Sequence, residues 1–353
     1  MKKNNLLIAV ILLIANTKSI AQCWVKIDAS YGHSLAIDKD TKLYAWGRND
    51  FGQLGDSSKI NRNKPVLIKN HKDWQVVSAG EAHSAGIKKD GTLWAWGLNN
   101  YGQLGDGTNI NRLTPVQIGT ETNWKAIDVG YSHTIALKFD GTLWAWGRNV
   151  MGQLGDNTNL QRDTPTKIGI ETNWAYIAAG GNHCMALKTD STFWIWGSNS
   201  NYQIGDGTAI NKKLPINVGG ANKWIAIGAG ETHSVALRKD STLWSWGENS
   251  SGELGNGSWV SKTTPTQLSS AKNWLSIYVG GLSNFAINTS DSIMVWGANN
   301  LGQLGTGTLV NINTPYGIGL ASNVSSIAPG FFLVYYYKKT AIYTPPETMP
   351  RVN

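Results

Sequence analysis

Charge is thin in this chain. Asp, Glu, Lys and Arg make up 15% of it, and no run of Lys or Arg exceeds two residues, so neither a polybasic nucleic-acid arm nor a membrane-surface patch is indicated. The formal charge of +8, less Lys2, Lys3 and Lys18 of the N-terminal segment, is a mild +5. Cysteine is nearly absent: Cys23 and Cys184 are the only two, which excludes a disulfide-held scaffold and gives no reason to expect a bridge between them. Long apolar runs are missing after residue 15, so nothing further along can span about 30 Å of hydrocarbon as a helix. In excess are glycine and tryptophan, with 40 and 17 residues. Glycine at that level without a collagen period marks many tight turns, as in an all-β chain of short strands.

Both residues fall in a cassette that returns every 50 residues, with Trp-Gly beginning at Trp46, Trp96, Trp146, Trp196, Trp246 and Trp296. A repeat this regular is one unit that cannot bury its apolar face alone and must stack against its copies. Each unit predicts four short strands: a from Trp74, b over 83–88, c over 92–96, and d after the proline, as in Pro115-Val-Gln-Ile. Asp90-Gly91 and Asp140-Gly141 suit two-residue type I′ hairpins between b and c. Trp94 and Trp96 share one strand face and Ala95 the other, so neighbouring units can interdigitate. Four antiparallel strands in about 50 residues is the size of a propeller blade. The first half of the unit occurs seven times, from Trp24 to a degraded copy at Val324, whereas the half from Trp-Gly to Pro occurs six times. The expected fold is an all-β, seven-bladed β-propeller of four-stranded antiparallel blades with a degenerate last blade. It occupies residues 22–343, before a C-terminal tail at 344–353.

Residues 1–21 have the order of a secretory signal peptide: Lys2 and Lys3, ten apolar residues from Leu6 to Ala15, then Ser19-Ile20-Ala21. Cleavage near Ala21 would send the protein to the periplasm, the cell surface or the medium, with no transmembrane segment in the mature chain.

Ile227 to Leu237, I-G-A-G-E-T-H-S-V-A-L, and Trp244 to Gly255, W-S-W-G-E-N-S-S-G-E-L-G, resemble the regulator-of-chromosome-condensation repeat. The resemblance covers residues 24–320 closely and 324–343 loosely. Kelch and WD repeats, the rival propellers, fit less well, because the chain has Trp-Gly rather than Trp-Asp. The family implies a seven-bladed propeller, and its secreted bacterial-type members imply a protein-binding ring. Its best-known activity, nucleotide exchange on a nuclear GTPase, conflicts with an export signal and with the lack of a basic arm.

Several constellations invite a chemical reading. His33, His83, His133, His183 and His233 form a column, but residues 50 apart sit in different blades and cannot all reach one ion, so each is expected to bond backbone within its own blade. The Gly102-Gln-Leu-Gly-Asp-Gly loops lack the following helix of a phosphate cradle, and Asp106, Asp156 and Asp206 lack the ligand spacing of a calcium loop. No catalytic residue, cofactor or metal is expected. Function is sought in the columns that vary. The a–b and c–d loops fall on one face, where Tyr31, Arg48, Phe51, Tyr101, Tyr131, Arg148 and Met151 cluster in blades one to three. Either these exposed positions drift freely, or they form an arc of interface-type residues for a macromolecular partner. The functional expectation is a non-enzymatic protein-interaction scaffold, with a surface glycan as the alternative partner and nucleic acid excluded. Arg62, Arg112, Arg162, Lys212 and Lys262 form a basic column that repeats and is therefore read as architectural.

Overall fold

A computed structural model describes residues 24–338 except 70, 221–222, 320–323 and 331–333. The segment at 1–21 expected to be a signal peptide, Cys23, Phe331, Leu333 and the tail at 344–353 lie outside the described residues. Blades at 24–67, 74–117, 124–168, 174–217, 224–267 and 274–317 are each a four-stranded antiparallel sheet whose strands follow in chain order. In the second blade these are Trp74–Ala79, His83–Lys88, Leu93–Gly97 and Arg112–Gln117. The first strands line a central channel of about 260 Å³, which puts strand a innermost and strand d at the rim. Among the described residues no helix is long and apolar enough to cross a membrane.

The all-β, four-stranded-blade architecture is as expected, but six such blades are complete rather than seven. In the seventh place Val324–Pro329 pairs with Val334–Lys338 in a two-stranded sheet, which touches the blade at 274–317 on one side and the blade at 24–67 on the other. The cause is in the sequence: only six copies carry the Trp-Gly to Pro half that supplies strands c and d. Two local expectations are also corrected. The b–c connection is a three-residue loop, closed by Lys88 N–H on Thr92 O at 3.0 Å, and only its last residue, Gly91 at φ 77°, is left-handed. That is a turn followed by a bulge rather than type I′, which needs two such residues. Strand d starts at Arg112, ahead of Pro115, and the proline falls in the irregularity between the Ala95–Val116 and Gly97–Arg112 pairs.

The seams between blades hold the core. Ala85, Ile87, Leu93, Ala95, Leu104 and Ile118 of the second blade close over Trp124, Ile127, Val129, Ala136 and Trp146 of the third. Trp146 has no exposed surface. A ring of that size removes about 150–250 Å² from water, worth roughly 4–6 kcal/mol as an upper bound. Of the two tryptophans on strand c, only the second is fully buried. Trp94 is half-buried beneath Lys88, whose Nζ lies 3.9 Å from the ring centroid, and Lys138 covers Trp144 in the same way at 3.7 Å.

The histidines bond across the seam, not within their own blades. His33 Nε2 lies 2.7 Å from Ser84 Oγ of the next blade, and Ser84 Oγ donates to Gln53 O at 2.8 Å, back in the first blade. Since the hydroxyl proton goes to the carbonyl, Nε2–H must be the donor to Ser84. The relay repeats from His83 to Thr134, His133 to Cys184, His183 to Ser234 and His233 to Asn284. Trp96 Nε1 joins it by donating to Gln53 O at 2.9 Å. His, Trp and the Gln of the glycine-rich loop are thus one latch from blade to blade. Cys184 is a free, buried thiol serving in that latch, with Sγ 3.3 Å from Gln153 O. Burial holds all five imidazoles far below their ordinary range, to about 3 at His33, His83 and His183 and about 4 at His133 and His233.

Candidate interaction face

Register decides which loops share an end of the ring. His83 pairs with Gly97, and Leu98 N–H donates to Ala82 O at 2.9 Å, so the a–b and c–d loops meet while the b–c hairpins lie at the opposite end.

Each c–d loop is tied internally by its recurring residues. Asn99 Nδ2 donates to Asp106 Oδ1, Thr108 O and Ile110 O at 2.9–3.2 Å, and its Oδ1 accepts from Leu104 N–H. Arg112 pairs with Asp106 at 2.6 Å, and Arg62–Asp56, Arg162–Asp156 and Lys212–Asp206 repeat this at 2.6–2.8 Å. Burial pushes the Asp106 carboxyl up, yet the Thr108 hydroxyl and Arg112 outweigh it and hold the group below its ordinary value. These aspartates and the first four residues of the basic column are therefore loop staples, while the fifth copy has Asn256 opposite Lys262 in place of an aspartate.

The seven variable residues separate into two groups. Tyr31 and Tyr131 meet edge-to-face at the channel mouth with centroids 6.1 Å apart. Burial and the neighbouring Glu231 push the Tyr131 phenol up. On the rim, the Arg148 guanidinium stands 5.5 Å from the Tyr101 ring, which is 39% exposed. Exposed Arg48 pairs with Asp50 of its own loop and lies near Glu81, whose carboxyl is raised by burial against the pull of Arg48. Phe51 is half-buried, and its N–H donates to Gln53 Oε1 at 3.0 Å. The Met151 thioether accepts from Asn211 Nδ2 at 3.3 Å. Tyr131 and Met151 are thus partly committed within the ring, whereas Arg48 and Tyr101 are exposed and the half-buried Arg148 lies against the Tyr101 ring.

Sequence reasoning missed the channel wall. Asp28 and Asp128 line it half-buried: Asp28 Oδ2 accepts from Ala79 N–H at 2.7 Å, Asp128 Oδ2 from Ala179 N–H at 2.8 Å, and Ser78 Oγ donates to Asp128 Oδ1 at 2.9 Å. Burial, then the charge of Asp128, push Asp28 up to about 7. The signal was readable: the strand-a column runs Asp28, Ser78, Asp128, Ala178, Gly228, Tyr278, with carboxylates where the other copies carry none. Among the described residues no three His, Cys, Asp or Glu side chains come together as a metal site would require.

A sequence profile of the RCC1-like domain matches residues 11–207, and the RCC1 repeat matches 190–237 and 240–287. Among curated proteins, a bifunctional serine/threonine-protein kinase/NEDD4-like E3 ubiquitin-protein ligase of Dictyostelium discoideum is 45% identical over 49 residues. The ultraviolet-B receptor UVR8 of Arabidopsis thaliana is 35% identical over 51 residues. These stretches are 13% and 14% of this chain and 3% and 12% of the two relatives' own lengths. Human WBSCR16 superposes with a TM-score of 0.81 at 21% identity, covering 91% of this chain and 89% of that one. Yeast RCC1 (Prp20), solved bound to Kap60, does so at 0.79 and 23%, covering 90% and 81%. A further structure of Prp20p from Saccharomyces cerevisiae, described with its binding to Gsp1p and histones, gives 0.74 at 24%, covering 84% and 77%. At these identities the likeness is one of fold.

Proposed function

Because the chain belongs to the RCC1-like domain family, we propose that it is an exported, non-enzymatic scaffold that binds a protein partner through the a–b and c–d loops. One observation carries the reading. At this end the Asn, Asp and Arg or Lys that recur are taken up by the staples of their own loops, while among the residues that differ between copies Tyr101 and Arg48 are exposed and Arg148 lies against the Tyr101 ring. Aromatic and arginine side chains are the types that dominate protein interfaces. The family relationship supports it, since yeast RCC1 is seen bound to another protein. Export rests on the order of residues 1–21, and it disfavours nucleotide exchange on a cytosolic or nuclear GTPase as the activity of this chain. The two-stranded sheet, which stands between the sixth blade and the first, is read as the reduced seventh blade that closes the ring.

The test is capture from the extracellular milieu with chemical cross-linking. Combined Phe51→Ala, Tyr101→Ala and Arg148→Ala should abolish recovery of the wild-type partner while leaving the melting temperature in place. Recovery of the same protein by the triple variant would refute the face.

A further inference from the structure

One recurring column of the c–d loops remains outside the core. Ile60, Ile110, Leu160, Ile210, Val260 and Val310 occupy the same position in the six complete copies, and each keeps 61–68% of its surface exposed. Other recurring apolar positions, such as those of Leu43, Leu54 and Ile68, are buried. In the first four blades the preceding residue is Lys59, Asn109, Asn159 or Ala209. In blades five and six it is Trp259, 50% exposed, and Leu309, 65% exposed. The loop of blade five rests on the start of blade six's last strand, where Gly257 N–H donates to Asn313 O at 2.8 Å, three residues beyond Val310. No Asp, Glu, Lys or Arg occurs in 254–261 or in 298–314. Two neighbouring loop tips therefore expose four large apolar side chains with no charge on either tip.

We propose that this patch is a self-association surface, in which Trp259, Val260, Leu309 and Val310 of one copy pack against the same residues of a second copy about a twofold axis. In an isologous contact residue i of one copy meets j of the other and j meets i, so a patch of one charge sign would repel its copy and an uncharged one does not. The lack of charge also removes what an anionic membrane or a nucleic acid would recognise. Beside Trp259, the Ser258 hydroxyl is taken up by Asn256 Oδ1 at 2.9 Å and Val260 is aliphatic, so these neighbours offer little to hold a sugar ring beneath the indole. At roughly 100 Å² per side chain, the four residues with Ile210 and the adjoining loop backbone offer about 600 Å² per copy, or about 1,200 Å² for a pair. That reaches the lower limit of specific interfaces, and a dissociation constant on the order of micromolar is expected. The surface lies in blades four to six, away from Tyr101 and Arg148, and does not depend on the proposed partner reading.

Sedimentation equilibrium on the purified protein tests it, with Trp259→Lys as the disrupting change and Ile60→Lys, equally exposed but beside a lysine, as the control. A monomer–dimer equilibrium is expected, weakened about 100-fold or more by Trp259→Lys and unchanged within about twofold by Ile60→Lys. Both substituted positions are surface sites, and circular dichroism confirms that each variant is folded. A wild-type monomer at about 100 times the expected dissociation constant overturns the proposal. So does equal weakening by the two variants, and so does protection of Trp259 by a glycan in place of a second copy.

Discussion

The seams between blades and the loop tips of the same blades are built from one repeat but obey opposite rules. At the seam of blades two and three, Trp146 has no exposed surface, and the latch runs from His83 through Thr134 to Gln103 O. At the tip of the second blade Tyr101 keeps 39% of its surface and its copies are Phe51, Met151, Asn201, Ser251 and Leu301. Where a residue has a partner in the next blade, nearly every copy needs it. Where it faces outward, copies differ at the position of Tyr101, while the exposed aliphatic column from Ile60 to Val310 still recurs. Repetition with a partner in the next blade therefore identifies structure in this ring, and variation identifies places where recognition can be specified.

The largest effect that would break this contrast is at the seam. Replacing Trp144 and Trp146 together by Ala should cost about 5 kcal/mol or more and lower the melting temperature by at least about 10 °C, measured by calorimetry. A shift of only a degree or two would remove the seam from the account.

Acid probes all the latches at once. Each histidine has a folded pKa depressed from 6.5 to about 3–4, so below pH 6.5 the unfolded chain binds protons that the folded chain refuses. Stability is complete above pH 6.5 and falls as the pH drops toward 3–4, at about 1.4 kcal/mol per pH unit for each of five histidines. Asp28, raised from 3.8 to about 7, acts in the other direction between those values, its folded form holding the extra proton. Five groups against the channel carboxylates leave a net loss in acid. Urea midpoints at pH 7 and pH 5 should differ steeply, and the difference should shrink in His83→Gln.

Glycine gives a sharper, single-site comparison. Gly105 sits at φ 81° with a Cβ position 2.7 Å from Trp146 Nε1, so Gly105→Ala adds both backbone strain and a clash at the seam. A cost of about 2–3 kcal/mol is expected in denaturant titration. Within a loop, Arg112→Ala should cost less than about 1 kcal/mol, because Arg112 is a third exposed and its ion pair is partly screened. At the tip, Tyr101→Ala should change stability by no more than about 0.5 kcal/mol while reducing partner capture.

Blade number apart, the fold was legible because its signals are local and repeated: strand periodicity, Trp pairs, a loop motif with fixed spacing. The shortfall of the seventh blade was also visible, in the missing second half of the cassette. What the sequence concealed were relationships between copies. Nothing in the spacing of His83 shows that its partner is Thr134, 51 residues on, because the pairing arises from stacking two blades. The channel carboxylates Asp28 and Asp128 read as ordinary polar positions until strand a is seen to be innermost. The candidate arc was legible as a set of residue types at one end of the ring, but not its division: Tyr31 and Tyr131 engage each other at the channel mouth, and Met151 is met by Asn211 of the next blade.

The claim that the varying loop face is the one that recognises a partner can be tested by lysine cross-linking and mass spectrometry on the native extracellular fraction. Exposed Lys59, Lys64 and Lys213 lie in or beside the c–d loops, whereas exposed Lys39, Lys89 and Lys239 lie in the b–c hairpins at the opposite end. Cross-links to another protein should originate from the first set. Partner cross-links concentrated on Lys39, Lys89 and Lys239 would contradict the account.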